Sequence, residues 1–220
     1  MRSAYGVRMV PNWGDTTFEY CIFGEYGNYL ANYLETHKQP FIFLDIGANQ
    51  GLYSLIAGKN QRCAQIHAFE PVKDTHSLLS ENIALNKLGC RTFVHNYGIS
   101  MEDGAVPIFI TPSHSGKASL YAHADANGSE TILIKTAKAV EPALLPGLPI
   151  FVKVDVEGHE RSVVQSLMDT AFSHRITTIF YEVDESRLDP TDLETILRAS
   201  GFAKFAKVGD GTHYDVLASR

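Results

Sequence analysis

A length of 220 residues, of which 45% are apolar, suits a single globular domain with a real core and gives no reason to divide the chain. The net charge of −6 excludes the basic stripe that a nucleic-acid partner would need. No apolar run is long enough to span a bilayer and no charged-then-apolar leader opens the chain. Cys21, Cys63 and Cys90 lack metal-ligand spacing, so the expectation is a cytoplasmic protein with reduced thiols, no membrane partner and an oligomeric state that the sequence does not set.

Residues 1–40 are rich in aromatics. Tyr26, Tyr29, Leu30, Tyr33, Leu34 and His37 recur at helical spacing and predict a helical cap over the sheet. Such a cap would also roof a site and give it aromatic walls. Residues 41–220 form the main domain.

That domain opens on Phe41–Gly51. Four apolar residues, Phe41 to Leu44, predict a strand buried on both faces. Asp45 ends it, Gly47 and Gly51 bracket a turn, and Leu52, Tyr53, Leu55 and Ile56 start a helix. Strand, glycine turn and helix form the first unit of a doubly wound nucleotide fold. A diphosphate wants bare N–H groups and positive potential. A carboxylate at the strand end suits a cation instead. S-adenosylmethionine carries a sulfonium and an ammonium, and the turn with Asn49 can take its carboxylate. Asp45, Gly47, Asn49 and Gly51 are therefore the expected cradle, in a turn that resembles motif I of class I S-adenosylmethionine-dependent methyltransferases.

Ala64–Phe69 predicts the second strand. Glu70 follows it, about 20 residues past the turn, where this fold class holds ribose hydroxyls. Leu78 to Leu88 predict a helix stopped by Gly89, with Asn82 and Asn86 as structural residues, and Arg91–Asn96 a third strand. Asn96 to Ser100 mark the expected adenine edge. Ala105–Ile110 and Thr131–Ala139 alternate as the strands of an inserted hairpin. Between them, the polar stretch 111–130 reads as a flap, with His114, Lys117 and Ser119 within possible reach of substrate. His114, His123 and Asp125 do not carry the setting of a metal site.

Ile150 to Val154 predict another buried strand, interrupted by Lys153, whose expected role is an internal ion pair. Asp155, Glu157, His159 and Glu160 crowd its end, before a helix faced by Val163, Val164, Leu167 and Met168. If this strand lies beside the first, Asp155 lies near Asp45, and the mouth is electronegative. Asp155, Glu157, His159 and Glu182 are the catalytic candidates, with Asp155 also on the cofactor side. Asp155, Glu157 and His159 permit a divalent cation by spacing, but Gly158 breaks the strand between them, and no metal is assigned. Asp189-Pro190 starts the last helix and Gly201 ends it. Phe202–Val208 and His213–Ser219 predict a terminal hairpin.

Lys153-Val-Asp-Val-Glu-Gly-His-Glu160, with the Asp45–Gly51 turn, Thr136–Glu141 and Tyr181-Glu182-Val183, resembles the FkbM family of methyltransferases over roughly residues 40 to 220. The resemblance implies a Rossmann-like α/β fold: a mostly parallel seven-stranded sheet with an antiparallel last strand, helices on both faces and the inserted hairpin. It also implies O-methylation of a hydroxyl on a small molecule or sugar. Two alternatives remain. A nicotinamide-dependent oxidoreductase would want a third glycine where Ser54 stands, and a non-catalytic S-adenosylmethionine-binding module would give no turnover.

Overall fold

A computed structural model describes residues 1–187 and 189–220. In chain order the first half comprises α1 (Thr16–Phe23), α2 (Tyr29–Thr36), β1 (Phe41–Ile46), α3 (Leu52–Lys59), β2 (Cys63–Phe69), α4 (Lys73–Leu85), β3 (Thr92–His95), β4 (Gly98–Ile99) and β5 (Gly104–Ile110). The second half comprises β6 (Gly128–Lys135), β7 (Ile150–Val154), α5 (Glu160–Met168), β8 (Ile176–Asp184), α6 (Pro190–Ala199), β9 (Lys204–Val208) and β10 (His213–Ser219). Seven strands form one sheet in the order β3-β2-β1-β7-β8-β10-β9. The pairs among β3, β2, β1, β7 and β8 are parallel, and β10 runs antiparallel to both of its neighbours. No helix is long and apolar enough to cross a membrane among the described residues.

β1 is buried at every position, as a central parallel strand must be. Phe41 and Phe43 face a core that includes Leu34 of α2 and Leu55 and Ile56 of α3. Ile42, Leu44 and Ile46 face the other core, against Val163 and Leu167 of α5 and Leu193 and Leu197 of α6. Side chains alternate along a strand, so Asp45 shares the Phe43 face. Lys153 shares the face of Phe151 on β7, and Glu182 that of Phe180 on β8. Asp45, Lys153 and Glu182 thus collect on one face.

The N-terminal cap is two short helices. The chain turns between them at Gly24 (φ 84°) and Gly27 (φ 68°), both left-handed, so the helix predicted from Tyr26 starts at Tyr29. The insertion is a separate sheet ordered β4-β6-β5, with β5 and β6 antiparallel. Its second long strand starts at Gly128 and stops at Lys135, earlier at both ends than the alternation predicts. Ala137 instead enters a 3-10 segment and donates its N–H to Ser166 Oγ at 2.9 Å. Ile108 and Ile132 pack on Val72, which fastens the small sheet to the main domain. α4 ends at Leu85, before Gly89, because Lys87 already takes the left-handed conformation (φ 59°).

Candidate active site

A cavity of about 570 Å³ opens at the carboxyl ends of β1, β2, β7 and β8. Tyr20 and Tyr26 of the N-terminal segment and Ile108 and Ile132 of the small sheet line it from above. This is the crevice where open α/β sheets bind ligands.

Its first end is built on the glycine turn. Gly47 has φ 75°, and a Cβ there would lie 1.8 Å from the carbonyl oxygen of Asp155. Only glycine lets the β1 and β7 loops touch. The Asn49 N–H donates to Glu70 Oε2 at 3.0 Å, and the Val72 N–H to Oε1 at 2.9 Å. Burial pushes the Glu70 carboxyl up to about 7, against the pull of these two N–H groups. Each oxygen keeps a lone pair for a ligand hydroxyl. Gly98 and Ile99, within the predicted adenine edge, lie on the wall, while Asn96 Nδ2 ties β3 to the Glu70 carbonyl at 3.0 Å.

Two residues expected in the cradle stand elsewhere. Asp45 is 1% exposed and off the cavity wall. β1 runs one residue further, to Ile46, so Asp45 points into the face below the mouth. Its Oδ2 accepts from Ser54 Oγ at 2.7 Å, and Lys153 Nζ lies 3.7 Å from Oδ1. Gly51 is also off the wall; a Cβ there would lie 2.5 Å from Leu79 Cδ1, so it serves the packing of α3 on α4.

Lys153 links the two ends. Its Nζ donates to the Gly47 carbonyl at 2.7 Å and lies 3.2 Å from Asp155 Oδ2. Burial opposes its charge, but Asp155 and Asp45 outweigh it, and the ammonium is held above its ordinary pKa.

At the second end, oxygens of Asp155, Glu157 and Glu182 lie within 4.8 Å of one another. Glu157 is left-handed (φ 53°) and pairs with Arg187 Nη1 at 3.1 Å. Burial and Asp155 push its carboxyl up to about 7. Glu182 Oε1 lies 2.7 Å from His213 Nε2. Burial, then Asp155 and Glu157, raise the Glu182 carboxyl. His159 turns away from the cluster; its Nε2 lies 3.0 Å from Ser100 Oγ, and burial lowers its pKa. Glu160 accepts the Val156 and Gly158 N–H groups at 3.0 and 3.1 Å and so shapes the loop that carries Glu157.

The model of the methyltransferase FkbM domain matches residues 45–203. The chain belongs to the FkbM methyltransferase family. It is 26% identical to "Methyltransferase 1" of Beauveria bassiana over 179 residues, 73% of this chain and 71% of that one. It is 30% identical to a hexuronic acid methyltransferase of Haloferax volcanii over 168 residues, 74% of this chain and 64% of that one. A crystal structure of an FkbM methyltransferase from Methylobacillus flagellatus superposes with a TM-score of 0.58 at 14% identity, covering 97% of this chain and 56% of that one.

Within this FkbM domain the flap residues divide. His114 and Lys117 reach the cavity, the first edge-on to Tyr20 and the second paired with Asp125 at 2.7 Å. Ser119 lies off the wall and donates to the Glu157 carbonyl at 2.8 Å. Sequence reasoning missed Arg187, His213 and Asp15. For His213 the signal was the terminal hairpin: antiparallel pairing of β10 with β8 sets His213 opposite Asp184, at the rim of the site. Ser54, where an oxidoreductase turn would want glycine, instead holds Asp45.

Proposed function

We propose that this FkbM methyltransferase moves a methyl group from S-adenosylmethionine to a hydroxyl oxygen of a small molecule or sugar. The observation that carries this reading is the division of one cavity into two chemically different ends. The first end fits the donor: Glu70 offers lone pairs to ribose hydroxyls, Asn49 lies on the wall, and Phe69, Ile99, Ile108 and Ile132 give an apolar slot for a flat base. The bound donor supplies a methyl on a positively charged sulfur, which the carboxylates at the second end favour.

The chain's own residues do the rest. Asp155 borders both ends and, tied to Lys153, fixes the point where they meet. Glu157, with a carboxyl pKa near 7, is matched to accept a hydroxyl proton near neutral pH. The Glu182–His213 pair orients the acceptor through hydrogen bonds. His159, held by Ser100, is a positioning residue. Tyr20 and Tyr26 offer flat apolar faces to the acceptor. Alignment of acceptor oxygen, methyl carbon and sulfur contributes several kcal/mol by proximity and orientation.

The test has two arms. Calorimetry with S-adenosylmethionine and S-adenosylhomocysteine should show binding, and NAD should show none. Labelled-methyl transfer to neutral glycosides, uronic acids, polyketide alcohols and phenols should find an acceptor among hydroxyl compounds. Transfer only to amines or thiols would overturn the oxygen assignment, and NAD binding alone would overturn the donor.

A further inference from the structure

The family match begins at residue 45 and assigns nothing to the N-terminal segment. Yet that segment reaches the middle of the cavity roof. Asp15 caps α1 and is 5% exposed. Its Oδ1 accepts from the Phe18 N–H at 2.9 Å, from Gln50 Nε2 at 3.1 Å and from Ser115 Oγ at 3.2 Å. Its Oδ2 accepts from the Ser115 N–H at 2.9 Å. A capping carboxylate needs one N–H. Here one buried side chain gathers donors from α1, from the glycine turn and from the loop after β5.

The joint is continued on both sides. Thr17 Oγ1 accepts from the Gly116 N–H at 2.8 Å, and the Thr16 N–H donates to the Ser113 carbonyl at 2.9 Å. Ser115 Oγ also lies 3.1 Å from Asn49 Oδ1, which accepts the Gln50 N–H at 2.8 Å. The single Ser115 hydroxyl hydrogen serves either Asp15 Oδ1 or Asn49 Oδ1, and with the Gln50 N–H already on that Asn49 oxygen, the Asn49 amide has its nitrogen as the polar end left for a ligand. Asn49 itself is left-handed (φ 49°), a conformation that needs such support.

We infer that Asp15 is a clasp. It locks α1 and the 111–127 loop together over the glycine turn, and its release sets the rate at which a bound donor or its product leaves. Asp15 acts through Ser115 and Asn49, so it is a positioning residue. The inference rests on the donor reading above only for its second half, the rate of release.

The two halves are tested separately on the full chain. The first uses hydrogen exchange without ligand. Asp15→Asn keeps the size of the side chain but loses an acceptor for the Ser115 N–H. Amides in 12–20 and 111–120 should then exchange faster together, by roughly tenfold, the loss expected for a charge-assisted bond. The second uses Trp13, the single tryptophan, which lies edge-on to Phe18 at 5.2 Å and reports on the cap. Stopped-flow emission should show S-adenosylhomocysteine leaving Asp15→Asn roughly tenfold faster. Ser115→Ala, which keeps its backbone N–H, should show a smaller rise. If Asp15→Asn fails to fold, Ser115→Ala carries both measurements. Unchanged dissociation in both variants overturns the rate of release, and acceleration of only one segment overturns the clasp. A wild-type protein that binds no S-adenosylhomocysteine refutes the donor reading and the rate of release together, and leaves exchange to decide the clasp.

Discussion

The two ends of the cavity both present carboxylates but treat them in opposite ways. At the first end the oxygens of Glu70 each receive a backbone N–H. Its position is fixed by the main chain. At the second end Asp155, Glu157 and Glu182 face one another, with Arg187 and His213 at the rim. Here burial and the neighbouring carboxylates raise Glu157 and Glu182, so these two groups are the ones that hold protons more readily. A site that must hold one ligand in one pose suits the first arrangement, and a site that must take up a proton suits the second. Lys153 stands between them, bonded to the glycine turn on one side and to Asp155 on the other.

Removing that link should break the contrast most severely. Lys153→Met leaves Asp45, 1% exposed, without its cation. Loss of one partner from a buried pair costs about 3–5 kcal/mol. Urea unfolding at pH 7 should show a drop of that order. A change under about 1 kcal/mol would mean that Lys153 is not the counter-ion of this face.

Glu70 tests the fixed end alone. Glu70→Ala removes the acceptor of two N–H groups, those of Asn49 and Val72. We expect donor affinity, read by calorimetry, to fall by roughly 1.5–3 kcal/mol. Acceptor affinity should hold, because the second end is untouched. An equal loss at both ends would mean that Glu70 supports the whole loop layer.

The movable end should announce itself in the pH dependence of stability. Folding raises Glu157 from 4.5 to about 7, raises Glu182 as well, and raises Asp215, which stands opposite Glu182 on β10, from 3.8 to about 7. The folded chain therefore holds protons that the unfolded chain has released. Stability should be greatest near pH 4–5 and fall as pH rises to about 7, by up to about 1.4 kcal/mol per pH unit for each group; above that Glu157 and Asp215 level off, and only Glu182 prolongs the fall. Glu157→Gln or Glu182→Gln should flatten the fall, and Glu157→Gln should also slow methyl transfer near neutral pH. A fall that survives both substitutions belongs to Asp215 and Glu70, whose carboxyls are also raised to about 7.

What the sequence disclosed follows the same division. The turn from Asp45 to Gly51 and the run from Lys153 to Glu160 were legible because each is one strand end with its loop, and local order is enough to place it. The sheet followed from the apolar runs of β1 and β7. Asp45 misled because an acid near a strand end looks like a ligand. One more strand residue, Ile46, turns it to the inner face. Asp15 with Ser115, Glu157 with Arg187 and Glu182 with His213 were invisible for another reason. Each pair joins distant segments, and only the packing of the cap, the flap and the terminal hairpin brings them together. The cap helix starts at Tyr29 and not at Tyr26: the aromatic spacing ran through Gly27, where the backbone turns left-handed, and α1 carried no such spacing.

The smallest prediction concerns the layer under the turn. Ser54 Oγ donates to Asp45 Oδ2 at 2.7 Å, and both side chains are buried. Asp45 Oδ1 has no hydrogen bond among the described residues and leans on Lys153 at 3.7 Å. Ser54→Ala should therefore cost about 1 kcal/mol, the ordinary worth of one hydrogen bond. Burial already raises the Asp45 carboxyl, and the Ser54 hydroxyl is one of the groups that holds it down. The variant should lose more stability at pH 8 than at pH 5, because a carboxylate deprived of its donor is harder to keep ionised. Equal losses at both pH values would show that Lys153 alone sets the charge of Asp45. Asp45 would then be structural packing with a fixed charge, and the contrast between a fixed end and a movable end would stop at the cavity floor.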